Sequence, residues 1–351
     1  VLGVTGGIAA FKAAAVCSRL VKAGAIVDVV MTRAAQKFVT PLTFQALTHR
    51  PVYTDMWNIP DGENIPHIAL ADNCDLLLVT PATANTIGKL ANGLADNLLT
   101  AIALATHAPI LLAPAMETDM WQNRATQTNV ETLRGWGISI AGPATGRLAS
   151  GSAGEGRMVE PEEIVDATRA LLGRNGPLAG KRVVITAGGT REAIDPVRFI
   201  TNRSSGKMGY ALAEVARDRG AAVTLITSAT LPEPASMNIV RVNSAEEMYQ
   251  AVMVSAPQAD VLVMAAAVAD FRPANVAVQK IKKKDGGLTL QLERTRDILA
   301  EVASQKTAGQ GPVVTVGFAA ETENLTENAQ EKLERKKLDF IVIWTHEPFC
   351  P

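Results

Sequence analysis

Twice in this chain, about 180 residues apart, a short apolar run ends in a Gly-Gly turn and leads to a helix-patterned segment that stops at a glycine. In the first copy Val1–Val4 reads as a strand and Gly6-Gly7 as the turn. Ile8–Lys22 then reads as a helix stopping at Gly24, and Ile26–Met31 as the next strand. In the second copy Arg182–Thr186, Gly188-Gly189, Lys207–Arg219 up to Gly220, and Val223–Thr227 repeat the order, with residues 191–205 inserted as a loop before the helix. A strand feeding a helix and then a parallel neighbour is the βαβ unit. The expected fold class is therefore α/β, with two Rossmann-like domains, each a mostly parallel sheet covered by helices. Further strands are expected at Leu76–Thr80, Pro109–Ala113, Ile138–Ile140 and Val261–Val268. These runs are too apolar to alternate, which suits strands with helices on both faces. The polar, breaker-rich Gly173-Arg174-Asn175-Gly176-Pro177 suits a linker, giving domains at 1–175 and 176–351.

Charge narrows the function classes. Lys plus Arg total 34 against 35 Asp plus Glu, which leaves no global electrostatic footprint for nucleic acid or an anionic membrane. Any anion site has to be local. Leu98–Met116 is long enough for a membrane span, but His107, Pro109 and Pro114 divide it into a helix, a turn and a strand. The opening residues lack the basic segment of a signal peptide. Cys17, Cys74 and Cys350 show no paired spacing, which argues against a disulfide or zinc framework and for a reducing compartment. A cytoplasmic location is expected.

Thr5-Gly6-Gly7-Ile8 brings backbone N–H groups and a helix N-terminus to one point, where a phosphate is favoured. The full G-x-G-x-x-G is missing, and the second strand ends in Thr32 where a dinucleotide site would place an acid. A mononucleotide therefore fits better than NAD. Two further segments follow buried strands, where ligands of open α/β sheets bind. Pro81-Ala82-Thr83-Ala84-Asn85-Thr86 and Pro114-Ala115-Met116-Glu117-Thr118-Asp119-Met120-Trp121 resemble the PASANT and PxMNxxMW motifs of homo-oligomeric flavin-containing cysteine decarboxylases. Together with the second half, the chain from Val1 to about Val342 is similar to the bifunctional phosphopantothenoylcysteine decarboxylase/phosphopantothenate–cysteine ligase family of coenzyme A biosynthesis.

That resemblance implies FMN held by Thr5, Gly6, Gly7, Ile8, Thr32, Ala82, Thr83 and Asn85, and substrate contacts from Met116 and Glu117. It implies an active-site histidine at His67; read alone, a lone histidine before an apolar run is more often a core or surface residue. An imidazole titrating near neutrality can handle protons beside a flavin. In the family the cysteine thiol is oxidised to a thioaldehyde, which eases loss of the carboxylate, and the enethiol left behind is reduced and protonated. Two positions depart from the pattern. Glu117 replaces the asparagine that contacts the substrate carboxylate, and an ionised carboxylate only accepts hydrogen bonds. Leu148-Ala149-Ser150-Gly151 carries Ser150 where relatives often have the proton-donating cysteine of a covering flap. A hydroxyl is a far weaker acid than a thiol of pKa about 8.5. Ser150 is the candidate acid there, or an ordinary flap-turn serine.

In the second half, Gly188-Gly189-Thr190-Arg191-Glu192, Ile194-Asp195-Pro196-Val197-Arg198 and Asn202-Arg203-Ser204-Ser205-Gly206-Lys207 resemble the ligase's first loop. This is not a Walker A loop. The resemblance assigns Asn202 to formation or turnover of an acyl-cytidylate. Val261–Val268 leads through Ala265 and Ala266 to Asp270, and Lys280-Ile281-Lys282-Lys283-Lys284 follows. A basic run is usually a solvated face, whereas activation by a triphosphate needs charge neutralised on departing pyrophosphate. The family's KxKK motif makes Lys280 the essential lysine, with Asp270 on the cytidine nucleotide. Gly317-Phe318-Ala319-Ala320-Glu321-Thr322 matches another nucleotide segment.

The resemblance implies CTP-dependent joining of cysteine to 4′-phosphopantothenate, with Mg²⁺ of unassigned ligands, followed by FMN-dependent decarboxylation to 4′-phosphopantetheine. It also implies trimeric flavin domains and dimeric ligase domains. The rival reading is a flavin-holding regulatory subunit with impaired catalysis, since some relatives inhibit a phosphatase. After Val342 the sequence Ile343-Trp344-Thr345-His346-Glu347-Pro348-Phe349-Cys350-Pro351 departs from the expected Ala-Asn-Asp-like continuation. A truncated or frameshifted C-terminus with an incomplete ligase site is the expectation.

Overall fold

The computed structural model describes residues 1–57, 66–282, 288–321 and 324–345. The chain divides into two compact units, Val1–Leu172 and Gly173–Pro351.

The first unit opens with β1 (Leu2–Val4), α1 (Ala10–Lys22), β2 (Val29–Met31), α2 (Pro41–Thr48), β3 (Val52–Tyr53), α3 (Pro66–Asp72) and β4 (Leu77–Ala82). It continues with α4 (Ala84–Ala91), α5 (Leu98–Ala105), β5 (Ile110–Pro114), α6 (Thr118–Gln122), α7 (Arg124–Gly135) and β6 (Ser139–Ile140). A hairpin, β7 (Ala144–Arg147) and β8 (Ala153–Arg157), precedes α8 (Pro161–Gly173). Six strands pair in the order β3-β2-β1-β4-β5-β6, all parallel.

That order is built by residues that bury both faces. On β4 Leu78 enters one core with Leu2, Val4 and α1, while Leu77 and Val79 enter the other with Ile87, Leu99 and Val130. Alternate residues thus point into opposite but equally apolar cores, so the strand sequence shows no period of two. Helix α1 buries Ala10, Ala13, Val16, Cys17 and Leu20, the three- and four-residue spacing of one helical face. Burial pushes the Cys17 thiol up to about 11.

The second unit repeats the plan with β9 (Arg182–Ala187), α9 (Lys207–Arg217), β12 (Ala222–Thr227), β13 (Asn238–Arg241), α10 (Ala245–Ser255) and β14 (Val261–Met264). After these come α11 (Ile298–Thr307), β17 (Val314–Glu321), α12 (Leu325–Arg335) and β18 (Phe340–Thr345). Two hairpins are set between them, β10 (Arg191–Ala193) with β11 (Phe199–Thr201), and β15 (Phe271–Pro273) with β16 (Leu292–Arg294). The parallel sheet runs β13-β12-β9-β14-β17-β18, the same topological order as the first. Val183, Ile185 and Ala187 face one core with α9, and Val184, Leu262 and Met264 the other with α10 and α11. Gly220 ends the α9 segment at φ +93°, and a Cβ there would lie 2.7 Å from the Gly173 carbonyl. Only glycine combines that backbone with that space.

Both sheets agree with the expected α/β class, and the segment 98–116 resolves into α5 and β5. Among the described residues no helix is long and apolar enough to cross a membrane. Several expectations shift. Helix α1 starts at Ala10, leaving Ile8 exposed. The strand expected over 261–268 ends at Met264, because the next residues pair sideways: Ala267 N–H donates to the Gly188 carbonyl at 2.8 Å and Thr190 N–H to the Ala267 carbonyl at 3.3 Å. The loop expected at 191–205 contains the β10–β11 hairpin. Strand β18 runs through Thr345, so Ile343, Trp344 and Thr345 of the atypical ending pair with Ala319–Glu321. His346 to Pro351 lie outside the described residues.

Helix α9 sits unusually close to its sheet at Gly209, where a Cβ would stand 2.6 Å from Ala187 Cβ and 2.8 Å from the Thr186 carbonyl oxygen. Gly209→Val is expected to destabilise the second unit by about 1–3 kcal/mol through overpacking. Urea unfolding checks this, and an unchanged midpoint would disprove the close contact.

Candidate active site

In an open parallel sheet the crevice lies beyond the carboxyl ends of the strands, where the strand order reverses. In the first unit that point is between β1 and β4, and a cavity of about 990 Å³ lies there. This is the upper end of the usual range of about 300–1,000 Å³ for small-molecule and cofactor sites. Thr5, buried at the end of β1, ties the two loops: its Oγ1 donates to the Pro81 carbonyl at 2.6 Å and accepts from Thr83 N–H at 3.3 Å. Thr83 caps α4 by accepting from Thr86 N–H at 3.3 Å. The N-terminus of α1 has no side-chain cap and no acid in its first turn, which leaves its positive end available to an anion. Gly6 packs against the loop after β2, where an added Cβ would lie 2.3 Å from Ala34 Cβ.

Thr5, Gly6, Gly7, Ile8, Thr32, Thr83 and Asn85 all line this cavity, together with Met116 and Glu117. Ala82 does not. Its side chain is buried and its carbonyl accepts from Ala115 N–H at 3.1 Å, so it holds β4 to β5. His67 is also absent from the wall. It sits half-buried on α3, with Nδ1 buried and without a hydrogen-bond partner among the described residues. Ser150 stands just behind the lining residues Leu148 and Ala149, with its hydroxyl donated to Glu117 Oε2 at 3.0 Å.

Sequence reading missed Lys12, which lines the cavity from the first turn of α1 and pairs with Glu160 at 3.0 Å. Its signal was present, a cation one turn past the glycines. Arg157 pairs with the same carboxylate, and Lys89 pairs with Asp96 at 2.6 Å.

In the second unit the candidate residues gather around the β10–β11 hairpin. Asn202, just after β11, donates from Nδ2 to the carbonyls of Ala267 and Val268 at 3.3 and 3.2 Å. This holds it to the segment that carries Ala265, Ala266 and Asp270. Ala266 N–H donates to Thr186 Oγ1 at 3.1 Å, and Ala269 N–H to the buried Thr190 at 2.9 Å. Lys280 is exposed, and its neighbour Ile281 is anchored. Ile281 N–H donates to Asp195 Oδ2 at 3.1 Å, and Arg198 donates to the Ile281 carbonyl at 2.7 Å. Lys283 and Lys284 lie outside the described residues, as does Thr322.

Gly317 is framework: it lies mid-strand, and a Cβ there would come 2.6 Å from Leu338 Cδ1. Phe318 is half-buried, and its carbonyl accepts from Lys332 Nζ at 2.9 Å. Lys336 was not foreseen. It pairs with Asp297, and burial pushes its ammonium below the ordinary range against the attraction of Asp270. Nothing in a Lys-rich helix end singled it out.

Residues 1–173 match the family model described as Flavoprotein, and residues 178–347 match the DNA/pantothenate metabolism flavoprotein C-terminal domain. Fold and matches together define a two-domain flavoprotein of the pantothenate-metabolism class. The chain is 48% identical over 343 residues to the coenzyme A biosynthesis bifunctional protein CoaBC of Vibrio vulnificus, covering 97% of this chain and 84% of that protein. To CoaBC of Bacillus subtilis it is 49% identical over 345 residues, with the same coverage. It is also similar to the solved structure of the FMN binding protein AtHal3, 35% identical over 48% of this chain and 92% of that one, with a TM-score of 0.42. The chain belongs to the family of coenzyme A biosynthesis bifunctional proteins.

Asp195 organises the second site. Its buried carboxylate accepts from Val197 N–H at 2.8 Å, Arg198 N–H at 2.9 Å, Arg198 Nε and Nη2 at 3.0 and 2.6 Å, and Ile281 N–H. The Arg198 guanidinium, backed by the three backbone N–H groups, holds this carboxyl well below the usual range and outweighs burial, which acts the other way. A depressed carboxyl contributes stability that is present above its unfolded value of about 3.9 and is lost as pH falls through the folded value. Asp195→Asn should therefore flatten the acid limb of the second unit's unfolding below about pH 4. Circular dichroism melts across pH check this, and an unchanged limb would remove Asp195 from that role.

Proposed function

We propose that the first unit is an FMN-dependent decarboxylase of 4′-phosphopantothenoylcysteine. The second is proposed to be the ligase that makes this compound from 4′-phosphopantothenate and cysteine, using CTP through an acyl-cytidylate. The observation that carries the reading is the single cavity at the β1–β4 reversal, whose wall joins Thr5–Ile8, Thr83–Asn85 and Met116–Glu117. Its lining fits a flavin mononucleotide: the α1 N-terminus for a phosphate, Thr5, Thr32 and Thr83 as polar contacts, and Ala115, Met116 and Met120 as apolar surface. FMN supplies two-electron oxidation of the substrate thiol and its reversal when bound. The protein's part is to hold the thiol and carboxylate, exclude water and manage protons. His67, off the wall in its own chain, is assigned to the cavity of an adjacent copy, which makes the active form a homo-oligomer.

In the second unit Asn202 and Asp270 face the acyl-nucleotide, and Lys280 neutralises the pyrophosphate as it departs. Among the described residues no three His, Cys, Asp or Glu side chains are grouped to hold a metal ion. Mg²⁺ is assigned to the triphosphate, which such ions reach with few protein ligands. Partners are small molecules.

Purified protein should be yellow and should turn 4′-phosphopantothenoylcysteine into a product lighter by CO₂, read by mass spectrometry. His67→Asn should abolish that product while keeping the colour. Lys280→Gln should stop CTP-dependent pyrophosphate release and spare decarboxylation. A colourless folded protein, or variants that retain full turnover, would overturn these assignments.

A further inference from the structure

A carboxylate stands where the first unit's cavity meets its hairpin. Glu117 lines the cavity, and its Oε2 accepts from Ser150 Oγ at 3.0 Å and Ser152 Oγ at 3.4 Å, with the two hydroxyls 2.8 Å apart. Backbone fixes this arrangement. Met116 N–H donates to the Gly156 carbonyl at 3.0 Å, and within the loop Leu148 N–H donates to the Ser152 carbonyl at 2.8 Å. A Cβ on Gly156 would lie 2.3 Å from the Met116 carbonyl oxygen, so β8 and the Glu117 loop are in direct backbone contact. The charges on the surrounding elements are Lys12 and Arg157, both held on Glu160, with Arg147 and Glu155 on the hairpin and Asp119 on α6, and Arg33 and the Lys89–Asp96 pair also line the cavity.

On the decarboxylase reading, on which this inference rests, the substrate brings a carboxylate to this wall and leaves with a proton in its place. An ionised Glu117 would repel that carboxylate and could not donate to it. Two carboxyl groups set together hold one proton between them, because the doubly charged state is disfavoured. We propose that substrate binding draws one proton onto the Glu117–substrate carboxylate pair, and that this proton passes through Ser150 to the substrate carbon after CO₂ leaves. The balance closes. The bond to the carboxyl carbon breaks, CO₂ departs and the electron pair stays on the carbon chain. Ser150 gives its hydroxyl proton to that chain and takes the one from Glu117, which ends ionised. Oxidation of the thiol and its reversal cancel over the cycle, so no further oxidant enters. A serine hydroxyl alone is too weak an acid for the step; the carboxyl behind it supplies the acidity.

The test is calorimetric titration of yellow holoprotein with 4′-phosphopantothenoylserine, which carries the carboxylate but no oxidisable thiol. Two buffers of different ionisation enthalpy at neutral pH count the protons. Wild type is expected to take up about one proton per ligand bound, and Glu117→Gln, still yellow, to bind without uptake. Ser150→Ala should keep the uptake but, with the true substrate, accumulate a product lighter by CO₂ and two further hydrogens. Binding to wild type without uptake, or equal uptake by Glu117→Gln, would overturn the shared proton. Normal product at an unchanged rate from Ser150→Ala would overturn the relay. Failure of the yellow wild type to bind the analogue at all would sink the decarboxylase reading and the inference with it.

Discussion

A parallel sheet has to bury both of its faces, since every crossover places a helix on one or the other. In each unit the strands run outward in both directions from a central pair, β1 with β4 and β9 with β14. Crossovers on opposite sides of that pair go to opposite faces. The loops after the pair therefore diverge and leave a crevice at its carboxyl end. The first unit's cavity occupies that crevice, so its place follows from satisfying two apolar faces at once.

The loops beyond the two central strand pairs are tied by different chemistry. In the first, one buried hydroxyl does the bridging: Thr5 donates to the Pro81 carbonyl at the end of β4 and accepts from Thr83 N–H two residues further on. A neutral bridge of this kind spans the crevice without placing charge where a phosphate is to sit. In the second, a buried charge does it. Asp195 gathers the β10–β11 loop and the segment just after Lys280 by accepting five hydrogen bonds. An ionised acceptor makes the stronger bonds, which suits a loop lying outside the sheet with little apolar surface to pin it.

The two positions that depart from the resembled motifs, Glu117 and Ser150, meet in the folded chain. Glu117 and Ser150 are 33 positions apart, and each by itself looks like an impaired site. In the folded chain they are one hydrogen-bonded group.

Much of the fold was legible in the chain because local pattern and burial agreed. Apolar runs, glycine turns and helical spacing placed both sheets and the crevice loops from Thr5 to Asn85. What misled was anything whose function depends on backbone partners. Ala82 and Gly317 sit in motif segments, and the sequence did not show that they also serve strand pairing and packing. The hairpins carry too little apolar periodicity to register, as Ala144–Arg147 and Ala153–Arg157 show. His67 bears a recognisable motif, yet its own chain keeps it off the cavity wall. The sequence by itself determined two doubly wound units and the chemistry available at their loops, since those follow from residue type and spacing. Only the tertiary structure decided that Lys12 shares Glu160 with Arg157, that Asp195 anchors the lysine loop and that Glu117 meets Ser150. Those contacts join residues far apart in the chain, and their partners are chosen by how the strands and helices pack.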